Sequence, residues 1–91
     1  MTIQWLFDVI QDRKQNPSEK SYTTSLFNDG LPKIAQKVGE EGTEVVVAAL
    51  AQSDQRLIEE VADLTYHVLV LLAARGLTPA DVAVELEKRH R

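Results

Sequence analysis

The chain has 91 residues, a formal net charge of −4 and no cysteine. This predicts a single domain over residues 1–91 and excludes disulfides, thiolate catalysis and cysteine-ligated zinc, so we expect a metal or a partner subunit to support its small core. The net acidity argues against nucleic-acid binding, and the absence of a long apolar run or a basic N-terminal region argues against a membrane span and a secretory signal, so we expect a cytoplasmic protein.

The hydrophobic pattern is helical almost throughout, and a first helix is predicted after Thr2 as N-cap. Its apolar residues recur at helical spacing at Ile3, Leu6, Phe7 and Ile10. Pro17 ends it, because the residue before a proline avoids the α region. Residues 18–30 are polar and turn-rich, which predicts a long loop with at most a short helical turn around Thr24 to Phe27.

Three further helices are predicted, over residues 31–51, from Ser53 or Asp54 to about Arg75, and from Pro79 toward Arg89. Pro32 is tolerated in a first turn, and Gly76 suits the left-handed position after a helix. Thr78 and Asp81 form a start that resembles a capping box. No strand is convincing, so the predicted fold class is all-α, with four to five helices.

Seven acidic residues and a single basic residue lie between positions 40 and 63. They include an E-E-x-x-E pattern at Glu40, Glu41 and Glu44 and an E-x-x-D pattern at Glu60 and Asp63. A spacing of three places both members of a pair on one helix face. Each pair borders the apolar stripe of its helix. If the two stripes pack together, four carboxylates meet at one rim of the core.

Carboxylates that gather without a counter-ion repel each other, so they raise their pKa values or recruit cations. Ligation by oxygen alone suits Mg²⁺ or Mn²⁺ rather than zinc, and Mg²⁺ commonly binds through carboxylates together with substrate phosphates. The pattern therefore predicts a metal-dependent enzyme that acts on a phosphate ester or anhydride. The alternative is a solvated acidic helix face, which is the usual meaning of one such pair alone.

Basic and imidazole side chains flank the acidic pairs. Lys33 and Lys37 fall on the side of Glu44 and could hold phosphate, although spacing alone slightly favours an i,i+4 ion pair between Lys37 and Glu41. His67 could contact substrate or orient a carboxylate, but a lone histidine beside an apolar face is more often a core residue.

Hydroxyl groups in the polar segment after the first helix are a further candidate contact to substrate. Tyr22 and its neighbour Thr23 could bind sugar or phosphate oxygens, although loops are commonly polar without a catalytic reason. No glycine-rich phosphate-binding motif occurs, so phosphate is not expected to be held by such a loop.

The sequence resembles the phosphoribosyl-ATP pyrophosphohydrolase family of histidine biosynthesis, which is related to the MazG-type nucleotide pyrophosphohydrolases. The resemblance covers nearly the whole chain. Its marks are S-Y-T at 21–23, K-I-A-Q-K-V-G-E-E at 33–41 followed by Glu44, E-V-A-D-L-T-Y-H at 60–67, and A-R-G-L at 74–77.

The resemblance implies hydrolysis of 1-(5-phosphoribosyl)-ATP to 1-(5-phosphoribosyl)-AMP and pyrophosphate with Mg²⁺, for which Mn²⁺ could substitute. It implies a homodimer in which helices of both chains complete a bundle, and a separate phosphoribosyl-AMP cyclohydrolase in the pathway. The implied metal ligands are Glu41, Glu44, Glu60 and Asp63. Glu40 is implied as an additional ligand or as the group that orients the attacking water, so Glu40 and Glu41 are the catalytic candidates. The implied substrate-binding residues are Lys33, Lys37, Tyr22, Thr23 and His67.

Two alternatives stay open at the level of sequence. The chain could be a MazG-type pyrophosphohydrolase of another nucleoside triphosphate. It could also be a catalytically silent helical interaction module, although such a module has no reason to keep like charges beside its core.

Overall fold

A computed structural model of the chain describes residues 1–90, and over that range the predicted all-α fold class is confirmed. Five helices form and no strand is present in these residues. The helices are α1 (Ile3–Gln15), α2 (Tyr22–Asp29), α3 (Leu31–Ala51), α4 (Asp54–Ala74) and α5 (Pro79–Arg89). Over the same residues, every helix is too short or too polar to cross a bilayer.

Helix α2 lies where the sequence predicts mainly a loop, so that prediction is wrong for Tyr22–Asp29. Ser21 begins the helix, because its hydroxyl oxygen accepts a hydrogen bond from the Thr24 N–H at 3.2 Å. The Thr24 hydroxyl in turn accepts a hydrogen bond from the Ser18 N–H at 3.1 Å. Leu26 is buried in the core. Capping and the burial of one face together stabilise a helix that is too short to form by itself.

The other predicted helix starts agree with the structure. Thr2 caps α1, and Ser53, rather than Asp54, caps α4 through its side chain. Thr78 and Asp81 form a complete capping box at the start of α5. These caps supply acceptors for N–H groups that have no partner within the helix.

The longest helices, α3 and α4, form the most extensive helix pair and are joined through Gln52 and Ser53. So short a connection makes them antiparallel neighbours. The buried core lies toward the start of α3 and the end of α4, where α1 and α2 pack against the pair. Its residues are Phe7, Ile10, Leu26, Ile34, Leu69, Val70 and Ala73.

The opposite end of the α3–α4 pair projects beyond this core and exposes apolar side chains. Leu50 is 84% exposed, and four neighbours on the two helices are also exposed. These neighbours are Val46, Val47, Ile58 and Val61. The radius of gyration is 14.2 Å, whereas about 12 Å is typical of a compact domain of this length. The apolar end, defined by these five residues, is therefore unusually open for an isolated domain.

Candidate functional site

The antiparallel pairing of α3 and α4 brings the predicted metal ligands together. Carboxylate oxygens of Glu41, Glu60 and Asp63 all lie within 4.8 Å of one another. Glu44 lies against Glu60, close enough for its carboxylate to perturb that group. The four residues, called the acidic group below, thus form one constellation on two facing helices.

Two of these carboxylates are buried, and each has an oxygen without a partner. Glu41 is 7% exposed and Glu60 is 5% exposed. In the described part of the chain, the Oε2 atoms of both residues are buried and accept no hydrogen bond. A buried carboxylate oxygen without a partner destabilises the fold, and a divalent cation that prefers oxygen ligands would satisfy both atoms. The residues present therefore fit a metal of the Mg²⁺ type.

A cation contacts the other oxygen of each buried glutamate. The Lys37 Nζ lies 3.6 Å from Glu41 Oε1, and the Arg56 guanidinium donates to Glu60 Oε1. The Glu44 carboxylate and burial nevertheless hold the pKa of the Glu60 carboxyl above its ordinary value, because they outweigh the opposing effect of Arg56. The acidic group is thus short of positive charge around Glu60.

His67 connects the acidic group to α2. Its Nδ1 lies 2.8 Å from the backbone carbonyl oxygen of Asp63, and a carbonyl can only accept, so Nδ1 carries a proton. On the other side of the ring, Nε2 and the Tyr22 hydroxyl form a hydrogen bond at 3.2 Å. This hydrogen-bonded chain fixes the position of the Tyr22 hydroxyl relative to the acidic group.

Thr23 and Tyr66 form a second contact between α2 and α4, through a hydrogen bond between their hydroxyl groups. The Tyr66 ring packs edge-on against His67, with ring centres 5.0 Å apart, and stacks with Tyr22 at 6.2 Å. Burial raises the pKa of the Tyr66 hydroxyl. This hydroxyl therefore keeps its proton, and the hydrogen bond to Thr23 joins two neutral groups. The predicted substrate residues Tyr22, Thr23 and His67 are therefore brought together.

Glu40 and Lys33 lie outside the acidic group. The exposed Glu40 carboxylate accepts a hydrogen bond from Gln36 at 2.8 Å and lies 3.5 Å from Lys37 Nζ. These two contacts lower the pKa of Glu40, and the charge of Lys33 adds to the effect. Burial lowers the pKa of Lys37, but the nearby Tyr22, Glu40 and Glu41 outweigh it and the pKa is raised. Lys37 therefore bridges Glu40 and the acidic group.

Two residues at the site were not among the sequence-predicted candidates. Arg56 contacts Glu60, and the i,i+4 spacing between them was the available signal. Tyr66 bonds Thr23 across 43 positions of the chain. Only its place beside His67 could have indicated it, because its partner lies on a helix that the sequence does not predict.

The family model of phosphoribosyl-ATP pyrophosphohydrolase matches residues 4–90. A phosphoribosyl-ATP pyrophosphatase of Pyrobaculum calidifontis is 52% identical over 94% of this chain and 92% of its own length. One from Lacticaseibacillus casei is 55% identical over 93% of this chain and 77% of its own length. A histidine biosynthesis bifunctional protein of Xylella fastidiosa is 51% identical over 91% of this chain and 40% of its own length. This chain therefore belongs to the phosphoribosyl-ATP pyrophosphohydrolase family.

Proposed function

We propose that this chain hydrolyses 1-(5-phosphoribosyl)-ATP to 1-(5-phosphoribosyl)-AMP and pyrophosphate, the second step of histidine biosynthesis. Relatives about half identical over nearly the whole chain are named for this activity. The observation that carries the proposal to the residues of this chain is the pair of buried, unpartnered oxygens on Glu41 and Glu60. A helical module without catalysis would not be expected to keep them.

The proposed cofactor is Mg²⁺, with Mn²⁺ as a possible substitute, held by Glu41, Glu44, Glu60 and Asp63. When bound, such an ion polarises phosphoryl oxygens and lowers the pKa of a bound water. Helices α3 and α4 supply the rigid frame, because each ligand projects from the middle of a 21-residue helix rather than from a loop.

The remaining candidates are assigned to substrate and water. Lys37 lies beside the acidic group and would hold phosphate. Lys33, one turn nearer the start of α3, would assist it. Of the two predicted roles of Glu40, orienting the attacking water fits better, since its carboxylate lies outside the acidic group and its lowered pKa keeps it ionised. Tyr22 would contact the substrate, with its hydroxyl held by His67.

Thr23 is assigned a supporting role at the same edge, where it would line the substrate site beside Tyr22. A cyclohydrolase that acts on the product in the pathway stays a prediction of the resemblance.

We also propose that the working unit is a homodimer. The apolar end exposes five aliphatic side chains on two adjacent helices, and contiguous apolar surface of this kind marks interaction sites. A second copy would cover this end and extend the two-helix projection into a bundle.

The decisive experiment compares wild-type protein with Glu41→Gln and Asp63→Asn. Each variant removes a negative ligand with little change in size. Loss of a residue that only orients a ligand already costs about 10–100-fold, so we expect each variant to lose at least about 100-fold in kcat/KM and in Mg²⁺ affinity. Glu87→Gln on the exposed face of α5 is the matched control and should behave as wild type. Unchanged Mg²⁺ binding and turnover in both variants would reject the acidic group as the metal site.

The substrate is tested separately by pyrophosphate release from phosphoribosyl-ATP, dUTP and the common nucleoside triphosphates. We expect phosphoribosyl-ATP to be the preferred substrate by kcat/KM. Preference for a plain triphosphate would instead assign the chain a MazG-type activity on another nucleotide.

A further inference from the structure

The two helices that carry the acidic group repeat one arrangement of charge. In each helix a basic residue is followed four positions later by a buried glutamate, and three positions after that by a second acid. The two sets are Lys37, Glu41 and Glu44 on α3, and Arg56, Glu60 and Asp63 on α4. The repetition gives Arg56 the same place on α4 that Lys37 has on α3.

The contacts of the two cations correspond as well. Lys37 and Arg56 each approach the Oε1 atom of the buried glutamate on their own helix, and both Oε2 atoms are left without a partner. Each cation lies one turn before the buried glutamate in its own helix. Because α3 and α4 are antiparallel, these two displacements point in opposite directions. The two cations therefore lie at opposite ends of the acidic group.

Helix energetics explain a cation at position 56 only in part, through its ion pairs with Glu59 and Glu60. Arg56 is the third residue of α4, and the positive end of the helix dipole disfavours a cation in the first turn. A basic residue that precedes its acidic partner at i,i+4 is also the weaker of the two orders. Moreover, the Arg56 side chain stays about half exposed, so its position favours a role toward something outside the protein.

Arg56 borders a cavity of about 170 Å³ at this end of the acidic group. The cavity is lined by Glu44, Val47, Gln52, Arg56 and Glu60. A guanidinium presents several donors in one plane and matches the geometry of phosphate oxygens. Glu44 and Glu60 also line the cavity, so an anion would be repelled from it until a cation neutralises those carboxylates.

We propose that Arg56 forms a phosphate subsite, at the end of the acidic group opposite Lys37, that binds a diphosphate only when the acidic group holds a divalent cation. Without the cation, Arg56 serves as the counter-ion of Glu60. The proposal deepens the proposed function and rests on it for the metal at Glu41, Glu44, Glu60 and Asp63. Lys37 and Arg56 would then contact the phosphate chain from its two sides.

The test is calorimetric titration of inorganic pyrophosphate into the wild-type chain and Arg56→Gln, with saturating Mg²⁺ and without it. We expect binding by the wild type to require Mg²⁺. Loss of a hydrogen-bonded charge costs about 1.5–3 kcal/mol, so Arg56→Gln should weaken Mg²⁺-dependent binding about 10–100-fold. Arg56→Lys keeps the charge without the planar guanidinium. Its affinity for pyrophosphate should lie between those of the wild type and Arg56→Gln. Arg89→Gln removes an exposed arginine that is paired with Glu85, four positions before it, and should match the wild type.

Titration of Mg²⁺ alone separates this role from a purely structural one. The proposal expects Arg56→Gln to bind Mg²⁺ at least as tightly as the wild type, because a competing cation is gone. Weaker Mg²⁺ binding together with unchanged pyrophosphate affinity at saturating Mg²⁺ would show that Arg56 only braces Glu60, and would overturn the proposal. Pyrophosphate binding by the wild type that is equally tight without Mg²⁺ would overturn it as well.

Failure of the proposed function has a different signature. If Arg56→Gln weakens pyrophosphate binding as expected but the wild-type chain does not hydrolyse phosphoribosyl-ATP, the substrate assignment is rejected and the subsite is supported. Turnover of phosphoribosyl-ATP together with wild-type pyrophosphate affinity in Arg56→Gln would reject the subsite and support the function.

Discussion

In the described chain, the hydroxyl pair of Thr23 and Tyr66 is one of two side-chain hydrogen bonds between α2 and α4, and its strength can be measured directly. Removing one partner leaves the other partly buried without a bond, so Thr23→Val and Tyr66→Phe should each destabilise the fold. We expect a coupling energy of about 0.5–1.5 kcal/mol in the double-mutant cycle, measured by urea unfolding. Strictly additive single effects would show that the two hydroxyl groups stabilise the fold independently.

The link through His67 differs, because it ends on the backbone of a proposed metal ligand. His67→Phe keeps a ring of similar width but cannot hold the Tyr22 hydroxyl or bond the Asp63 carbonyl. Because orienting partners of ligands typically contribute 10–100-fold, we expect turnover to fall by about that factor. Steady-state kinetics and thermal unfolding of His67→Phe and Tyr22→Phe check this. A His67→Phe protein with wild-type kcat/KM would contradict a positioning role.

Which single residues could be predicted from sequence depends on where their partners lie. Glu41 and Glu44 share one helix face, as do Glu60 and Asp63, so a spacing of three was enough to group each pair. The approach of one pair to the other followed from packing two apolar stripes. Tyr66 could not be assigned in this way, because its hydroxyl partner lies on a different helix.

At the scale of secondary structure, α2 shows that helix propensity alone does not predict every helix. Its eight residues include threonine, serine and asparagine, which favour caps and turns over helix interiors. The helix is stabilised by Ser21 as its cap and by burial of Leu26. The long periodic helices α3 and α4 were predictable to within a residue because their apolar stripes are continuous, whereas α2 depends on contacts with the rest of the fold.

The junction of α2 and α3 is a single glycine with a backbone conformation that other residues avoid. Gly30 has φ 93° and ψ 172°, a region where a side chain costs about 1–3 kcal/mol. Gly42, in contrast, lies inside α3, and a Cβ there would meet no atom of the described residues within 4 Å apart from its chain neighbours and the nearby backbone of its own helix.

The same substitution should therefore have opposite effects at these two glycines. We expect Gly30→Ala to lower the free energy of unfolding by about 1–3 kcal/mol and Gly42→Ala to raise it by about 1 kcal/mol. Chemical denaturation at fixed protein concentration measures both. A loss of stability in Gly42→Ala would mean that a second chain approaches α3 closely at this position.

At the scale of the whole molecule, the sequence left open whether a metal or a partner subunit compensates for the small buried core. The core cluster lies at one end of the α3–α4 pair, and the five residues of the apolar end stay exposed in the described chain. Composition predicted the need for a partner subunit or a metal. Composition could not identify the surface that a partner covers. An apolar stripe has the same sequence pattern whether helices of the same chain or of another copy pack against it.

Leu50→Glu tests the proposed dimer at the most exposed residue of this surface. Because Leu50 is 84% exposed, the substitution should cost a monomer little, within about 0.5 kcal/mol. We expect it to weaken dimerisation at least about 10-fold, since burying a charge in an apolar interface costs well over 1.4 kcal/mol. Sedimentation velocity across a concentration series checks this, with Val84→Glu on the exposed face of α5 as control. A wild-type chain that sediments as a monomer at every concentration would reject the dimer.

Because α3 and α4 run antiparallel with the same spacing of charges, the order of charges along the acidic group is the same from either end. The triphosphate of phosphoribosyl-ATP contains two anhydride linkages, and carboxylates and cations arranged alike in both directions distinguish poorly between them. The asymmetry comes from α2, which places Tyr22 against His67 and near Lys37 at one end only. The choice of which phosphorus–oxygen bond is cleaved would then depend on α2, which contributes no carboxylate to the acidic group.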